Sequence, residues 1–223
     1  MESTRVLRAA GVAGVLAAIL ILGGYYLSVM GASGAPGRNA EAAAWAAWAQ
    51  REENAIEVGV YFLFVPGLLL FLCMFAALAG LLPPTALSTR LAGYAALAFF
   101  VMSASAGVMS STTASTFGFY GAFKDPTAVT VFAGATAGYH LLTVGVLSLA
   151  ITMVATAVGL RYSAAISSRL YVASIVLAAV AVAGTLIGVG IIPCLLWVLA
   201  VGIGLLRWMP PSRSAGVDPM AEA

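Results

Sequence analysis

His140 is the only histidine in the chain, and it stands inside a long uncharged run, where an ionisable side chain is a candidate for function. Thr136 and Thr143 lie four and three residues from it, spacings that put the three side chains on one face of a helix. A neutral imidazole there can equally be satisfied by one hydroxyl and one carbonyl, so binding and structural roles both stand. Glu57 is the acid expected to partner His140 if the second and fourth membrane helices touch. If they do not, it is a boundary carboxylate near a helix N-terminus, where negative charge is favourable.

A second group of polar residues lies in the stretch SASAGVMSSTTAST, residues 103–116. Serine and threonine in membrane helices bond back to carbonyls about four residues earlier, and small residues let backbones approach closely. Packing alone therefore accounts for such a stretch. A binding role needs company from other helices, and Glu57, Tyr61, Thr136, His140 and Thr143 fall in the same half of the membrane or near its middle. With Ser103 and Ser105 they form the candidate ligand-binding set, lining an outward-facing chamber between the first four membrane helices. Pockets of this kind are mainly apolar with a few placed polar groups.

Other chemistries lack their residues. One histidine, two separated cysteines and no acids deep in the apolar runs offer no metal-ligand cluster, and no cofactor is expected. Cys73 and Cys194 differ in expected depth by roughly 13 Å, too far for a disulfide, and no CxxC pair suggests thiol exchange. The GASG segment at 31–34 lies in a Gly-rich loop without a dependable base, and no HExxH, paired-Asp or Walker pattern occurs. A net charge of +2 without a basic aromatic patch gives no reason to expect nucleic acid.

The elements that must hold these residues follow from composition. The chain is 62% hydrophobic and 8% charged, with mean hydropathy +1.05, against roughly a quarter charged residues in soluble domains. Charges cluster between long uncharged runs, as expected where lipid surrounds the runs and water the gaps. The alternating short segments of a transmembrane barrel are absent. The prediction is an all-α polytopic membrane bundle with six spans, at about 9–29, 57–82, 91–116, 128–160, 170–189 and 191–208. The first could instead be a signal peptide, with Arg5 and Arg8 as its charged start, but its apolar core is long for one; it is read as a retained span.

Several local signals refine this plan. EAAAWAAWAQREEN, within about 40–54, predicts a short interfacial helix with Trp45 and Trp48 on one face at headgroup level. Pro66-Gly67 predicts a kink in the second span. Asp125-Pro126 reads as the N-cap and first residue of the fourth, which is long enough to require tilt or protrusion. The apolar run at 170–206 is too long for one crossing, and GVGIIP, 188–193, marks the turn that divides it. Gly184 and Gly188 are spaced for a close helix crossing.

Residues 1–8 form a short N-terminus and 209–223 a polar, Pro-containing tail expected to be disordered. With six spans, Arg5, Arg8, Arg90, Arg161, Arg169, Arg207 and Arg213 gather on one side, and Arg38, Arg51 and Lys124 on the other. That bias predicts both termini on the cytoplasmic side, and nine arginines to one lysine with abundant Ala and Gly point to a GC-rich bacterial genome, so the expected location is a bacterial cytoplasmic membrane. The ending IIPCLLWVLAVGIGLLRW and the segment RLAGYAALAFF resemble parts of uncharacterised bacterial six-helix integral membrane proteins of a domain-of-unknown-function type. In size, span number and small-residue first helix the chain is also similar to substrate-binding subunits of energy-coupling-factor importers. The first resemblance implies six spans and carries no known active residue.

The expected function is non-enzymatic: binding or passing a small, largely apolar molecule through the outward chamber. The alternative is an accessory or assembly subunit docking onto a larger membrane complex. Expected partners are the lipid bilayer, a small apolar ligand or lipid, and a membrane-protein partner or a second copy.

Overall fold

An uncharged run in lipid has one way to satisfy its backbone N–H and C=O groups within a single segment, the hydrogen bonds of a helix. The computed structural model describes residues 2–31, 33–37, 40–84, 86–114, 128–162 and 166–207, and among these every regular element is helical. In order they are α1 (Glu2–Met30), α2 (Ala42–Arg51), α3 (Glu53–Glu57), a π-helical stretch (Val58–Phe64), α4 (Val65–Ala79), α5 (Leu87–Ala114), α6 (Ala128–Tyr162), α7 (Ser168–Thr185) and α8 (Ile191–Leu206). The expected cap at Asp125-Pro126, the end of the third span at Thr116, the charges Arg38, Lys124 and Arg213, and the tail at 209–223 lie outside the described residues.

Among the described residues five stretches are long and apolar enough to cross a membrane: Thr4–Val29, Asn54–Ala79, Leu87–Met109, Thr136–Tyr162 and Ser168–Thr185. The chain is therefore a helical membrane bundle. Of the six spans expected, α8 is the short one: its 16 residues rise about 24 Å, against a hydrocarbon core of about 30 Å. The exposed faces are apolar too, with Leu22, Phe62, Leu97, Ile151, Val176 and Leu196 all outward. Helices apolar on both faces belong in lipid.

Local sequence explains the boundaries. A kink is expected at Pro66-Gly67; the feature found is a π-helical stretch ending just before Pro66 and running directly into α4. Pro66 has no N–H to give the carbonyl four residues back, and wider i→i+5 bonding just upstream is one way a helix absorbs such a defect. Ser167 caps α7 by accepting from the Leu170 N–H at 3.4 Å. The GVGIIP turn is present, with Gly188 at φ +80°, a conformation that favours glycine. α6 is 35 residues long, about 52 Å, well beyond one perpendicular crossing, and α2 packs against it.

The six long helices close into a ring: α1 contacts α4 and α8, α8 contacts α7, α7 contacts α6, α6 contacts α5, and α5 returns to α4. Ile21, Phe71, Phe99, Leu149, Met153 and Val198 fill its centre, each fully buried, with Phe71 and Phe99 edge to face at 5.1 Å. Small residues set the approaches. A Cβ added to Gly11 would lie 2.7 Å from the Gly202 carbonyl, and one on Gly24 would lie 2.5 Å from that of Gly59. Of Gly184 and Gly188, expected to mark a close crossing together, only Gly184 makes a close approach, to Gly190 at the α7–α8 turn, while a Cβ on Gly188 would meet nothing within 4 Å.

Candidate functional site

The seven residues expected to share a chamber are spread over α3, the π-helical stretch, α5 and α6. Ser103, on α5, is fully buried and faces α6, where a Cβ on Gly145 would lie 2.6 Å from its Oγ. Ser105 is half-buried on α5. His140 and Thr136 are exposed on α6, and the imidazole meets the edge of Tyr139 at 5.8 Å. Thr143 donates to the Tyr139 carbonyl at 2.9 Å. Glu57 is half-buried at the end of α3 and Tyr61 exposed in the π-helical stretch, on a rod whose main neighbours are α1 and α5. The contact between second and fourth membrane helices that a Glu57–His140 pair requires is therefore not a principal one of the bundle.

Tyr139 and Tyr25 take a role that spacing did not suggest. Tyr139 donates to the Thr185 carbonyl at 2.9 Å and Tyr25 to the Gly188 carbonyl at 3.2 Å. Two phenols thus tie the α7–α8 turn to α6 and α1. The gap between them, also lined by Thr143, is about 20 Å³, room for about one water.

Charge is organised at this same end of the bundle, in a cap that the sequence did not reveal as buried. Glu52 separates α2 from α3 and is 5% exposed. Its carboxylate accepts from the Ser33 hydroxyl and from Arg51 Nε at 3.3 Å, while Arg51 also donates to Ser33 Oγ at 3.0 Å. Gly31, at φ +61°, leaves room for the Glu52 side chain. Trp48 does not lie outward with Trp45 at headgroup level; it is 7% exposed and packs with Ala49 and Ile56, its ring 5.7 Å from that of Trp45. The buried positions 48, 49, 52 and 56 keep helical spacing through Glu52. That spacing was the available signal.

The hydroxyls of the bundle sort themselves by partner. Ser148 bonds to the Val144 carbonyl at 2.9 Å, Thr152 to Ser148 at 3.0 Å and Ser174 to Leu170 at 3.0 Å, each four residues back, as expected in membrane helices. Thr156 is next in the α6 series at 148, 152 and 156, but its hydroxyl is fully buried and has no partner. Among the described residues only Trp48 Nε1 and Ser103 Oγ share that condition.

Thr156 differs from Ser103 in what lies beside it. At the end of the bundle carrying the starts of α1 and α7 and the finishes of α4, α6 and α8, the ring is not filled. A cavity of about 370 Å³ lies between α4, α6, α7 and α8, within the range of small-molecule sites. Its walls are largely apolar, Leu78, Leu177 and Trp197 among them, and its polar groups are Thr156, Ser174 and Arg207. The Trp197 indole donates to Ser174 Oγ at 3.1 Å, so that pair is satisfied. Arg207, the C-cap of α8, is exposed and forms no ion pair among the described residues. Gly204 also lines the cavity, and a Cβ there would meet nothing within 4 Å.

None of the seven expected residues lines this cavity or the wider apolar groove of about 930 Å³ across α5, α6 and α7. Sequence reasoning passed over Thr156 because a threonine at helical spacing usually bonds its own backbone. Among the described residues no three His, Cys, Asp or Glu side chains come together as metal ligands. Comparison with protein-family models, curated proteins and solved structures finds no match for this chain.

Proposed function

We propose that this membrane protein binds a small, largely apolar molecule in the cavity between α4, α6, α7 and α8, and holds or passes it without covalent chemistry. The observation that carries this reading is the cavity itself, about 370 Å³ walled almost wholly by apolar side chains where four helices part. The polarity of the walls fits the same class of ligand, because the Ser174 hydroxyl and the Trp197 indole are bonded to each other. The arginines at 5, 8, 90, 161, 169 and 207 mark this end of the chain as the cytoplasmic one. On that orientation the cavity opens toward the inner leaflet of a bacterial cytoplasmic membrane, not outward as the sequence suggested.

The test uses purified full-length protein in detergent and a neutral fluorescent naphthylamine as apolar probe. Gly204→Phe places a ring in the cavity without a backbone clash at its Cβ. Saturable probe binding in the parent chain, lost in Gly204→Phe while thermal stability is kept, is the expected result. Binding unchanged by that substitution would sink the proposal. The alternative role as an accessory subunit rests on the open groove across α5, α6 and α7, and a uniformly apolar groove in a membrane is equally well covered by lipid chains.

A further inference from the structure

We propose that the tip of the α7–α8 hairpin is seated within the hydrocarbon of the leaflet away from Arg169 and Arg207, covered by acyl chains and not by water, with the Tyr25 and Tyr139 phenols supplying the donors that water would give its backbone. Between Arg169, at the start of α7, and Arg207, the C-cap of α8, the chain carries no charge. Both arginines are exposed and belong at one headgroup level. From Arg169 to the end of α7 at Thr185 the rise is about 24 Å, and α8 rises as much. The hydrocarbon core is about 30 Å thick, and tilt shortens the reach of both arms further. The neighbouring helices run on past the tip. Tyr139, bonded to Thr185, stands eleven residues from the start of α6 at Ala128, about 16 Å. Tyr25, bonded to Gly188, stands five residues from the end of α1 at Met30, about 8 Å. The charged cap of Glu52 and Arg51 is bonded to Ser33, after α1 has ended. The polar boundary on this side therefore lies beyond the tip.

The tip is built as a lipid surround requires. Leu186 and Ile187 are its most exposed side chains, at 83% and 67%, whereas Gly184 and Gly190 are buried and pressed together. The irregular backbone thus faces the bundle and the apolar side chains face out. The N–H groups of Leu186, Ile187, Gly188 and Val189 bond to the carbonyls of Ala183, Gly184 and Thr185, and the Thr185 hydroxyl bonds inward to the Val182 carbonyl at 2.6 Å. The Thr185 and Gly188 carbonyls take phenols from α6 and α1. A turn in water needs no donors from two other helices; in hydrocarbon a carbonyl has only the protein to turn to. Acyl chains are the occupant that the surroundings favour over a protein. The exposed apolar surface continues from the tip down α7 through Val182, Val180 and Val176 and down α8 through Ile192 and Leu196, without the polar rim of a protein interface.

Depth is measured on the full-length chain in proteoliposomes, with Cys73→Ala and a nitroxide attached at Ile187→Cys; Cys194 is fully buried and escapes the label. Collisions with oxygen report hydrocarbon, and collisions with a water-soluble nickel chelate report water. Val101→Cys, exposed on α5 eleven residues from Arg90, is the hydrocarbon standard. Gln50→Cys, exposed on α2 beside the charged cap, is the aqueous one. Amide exchange of residues 186–190 in the unaltered chain in nanodiscs supplies the same comparison if the labelled chains do not fold.

The label at 187 should give an oxygen-to-nickel ratio like that at 101 and at least about tenfold above that at 50, since a polar chelate is excluded from hydrocarbon. A ratio equal to that at 50 puts the tip in water and overturns the proposal. Few collisions with either reagent would mean that protein covers the tip, a second copy or another chain, and overturns it equally. In the unaltered chain the amides of 186–190 should exchange as slowly as those of the buried spans, and fast exchange there counts against the proposal. Tyr25→Phe combined with Tyr139→Phe should speed that exchange at least about tenfold, through the loss of two hydrogen bonds, while the amides of α5 keep their rates. Exchange at the tip that ignores the double substitution overturns the role given to the phenols.

Discussion

Ser103 and Thr156 are both fully buried hydroxyls without a partner, on helices that face each other, yet their surroundings differ. Ser103 is pressed against Gly145 where α5 crosses α6, with no room for one more carbon. Thr156 borders about 370 Å³ of unfilled space. The same chemical defect sits at a close helix crossing in one place and in the wall of an unfilled cavity in the other. Burial and hydrogen-bond state do not separate the two cases; the neighbouring volume does.

The largest expected effect breaks the packed side of this comparison. Gly145→Ala puts a methyl 2.6 Å from Ser103 Oγ and should cost about 2–3 kcal/mol, as overpacking of a tight core does. Unfolding of the purified protein in a denaturing detergent measures it. Ser103→Ala, harmless alone, should recover most of that loss when combined with Gly145→Ala, because the atom that blocks the methyl is gone. Without such recovery, the crossing is set by backbone approach and not by this hydroxyl.

The polar cap supplies a control of the opposite kind, a buried charged group with its partners in place. Glu52→Ala removes the acceptor shared by Ser33 and Arg51 and should cost about 1–2 kcal/mol, read as faster proteolysis of the segment between α1 and α2. It should leave probe binding at the far cavity unchanged. A change in binding would mean that the two ends of the bundle are coupled, and the cavity could not then be treated as a local site.

Gly204→Phe acts on the cavity side alone. It should lower affinity for the apolar probe at least about tenfold, or about 1.4 kcal/mol, with stability little altered, since its Cβ enters open space. Large loss of stability instead would show that the volume closes in solution and that the ring of helices is packed there as tightly as at Gly145.

Much of the architecture was legible because lipid imposes strict rules on sequence. The runs free of charge and the turn at Gly188 follow from backbone satisfaction, and both are present; before Pro66, where a kink was expected, the helix takes up π geometry. The site was less legible for a physical reason. His140 drew attention through its type, but whether its face looks into the bundle depends on how α6 is rotated against α5 and α7. That rotation is fixed by contacts distant in sequence, such as Gly145 against Ser103. The inward turn of Trp48 and Glu52 likewise depends on the loop at Gly31 folding back beneath them. Thr156 and Gly204 resemble ordinary membrane-helix residues, and only the gap between four helices distinguishes them.

The smallest effect gives the sharpest form of the comparison. Thr156→Val and Ser103→Ala each remove a buried hydroxyl that has no partner, and apolar replacement of such a group is neutral or stabilising. In ligand-free detergent solution both should therefore raise stability by up to about 1 kcal/mol. With the apolar probe present the two should still move together, because neither hydroxyl has accessible surface for an occupant to meet. Parallel behaviour of the two variants across probe concentration makes Thr156 a second packing defect. Divergence would overturn that and make it a ligand contact, because a hydroxyl whose removal helps the empty protein and harms the occupied one must be meeting the occupant.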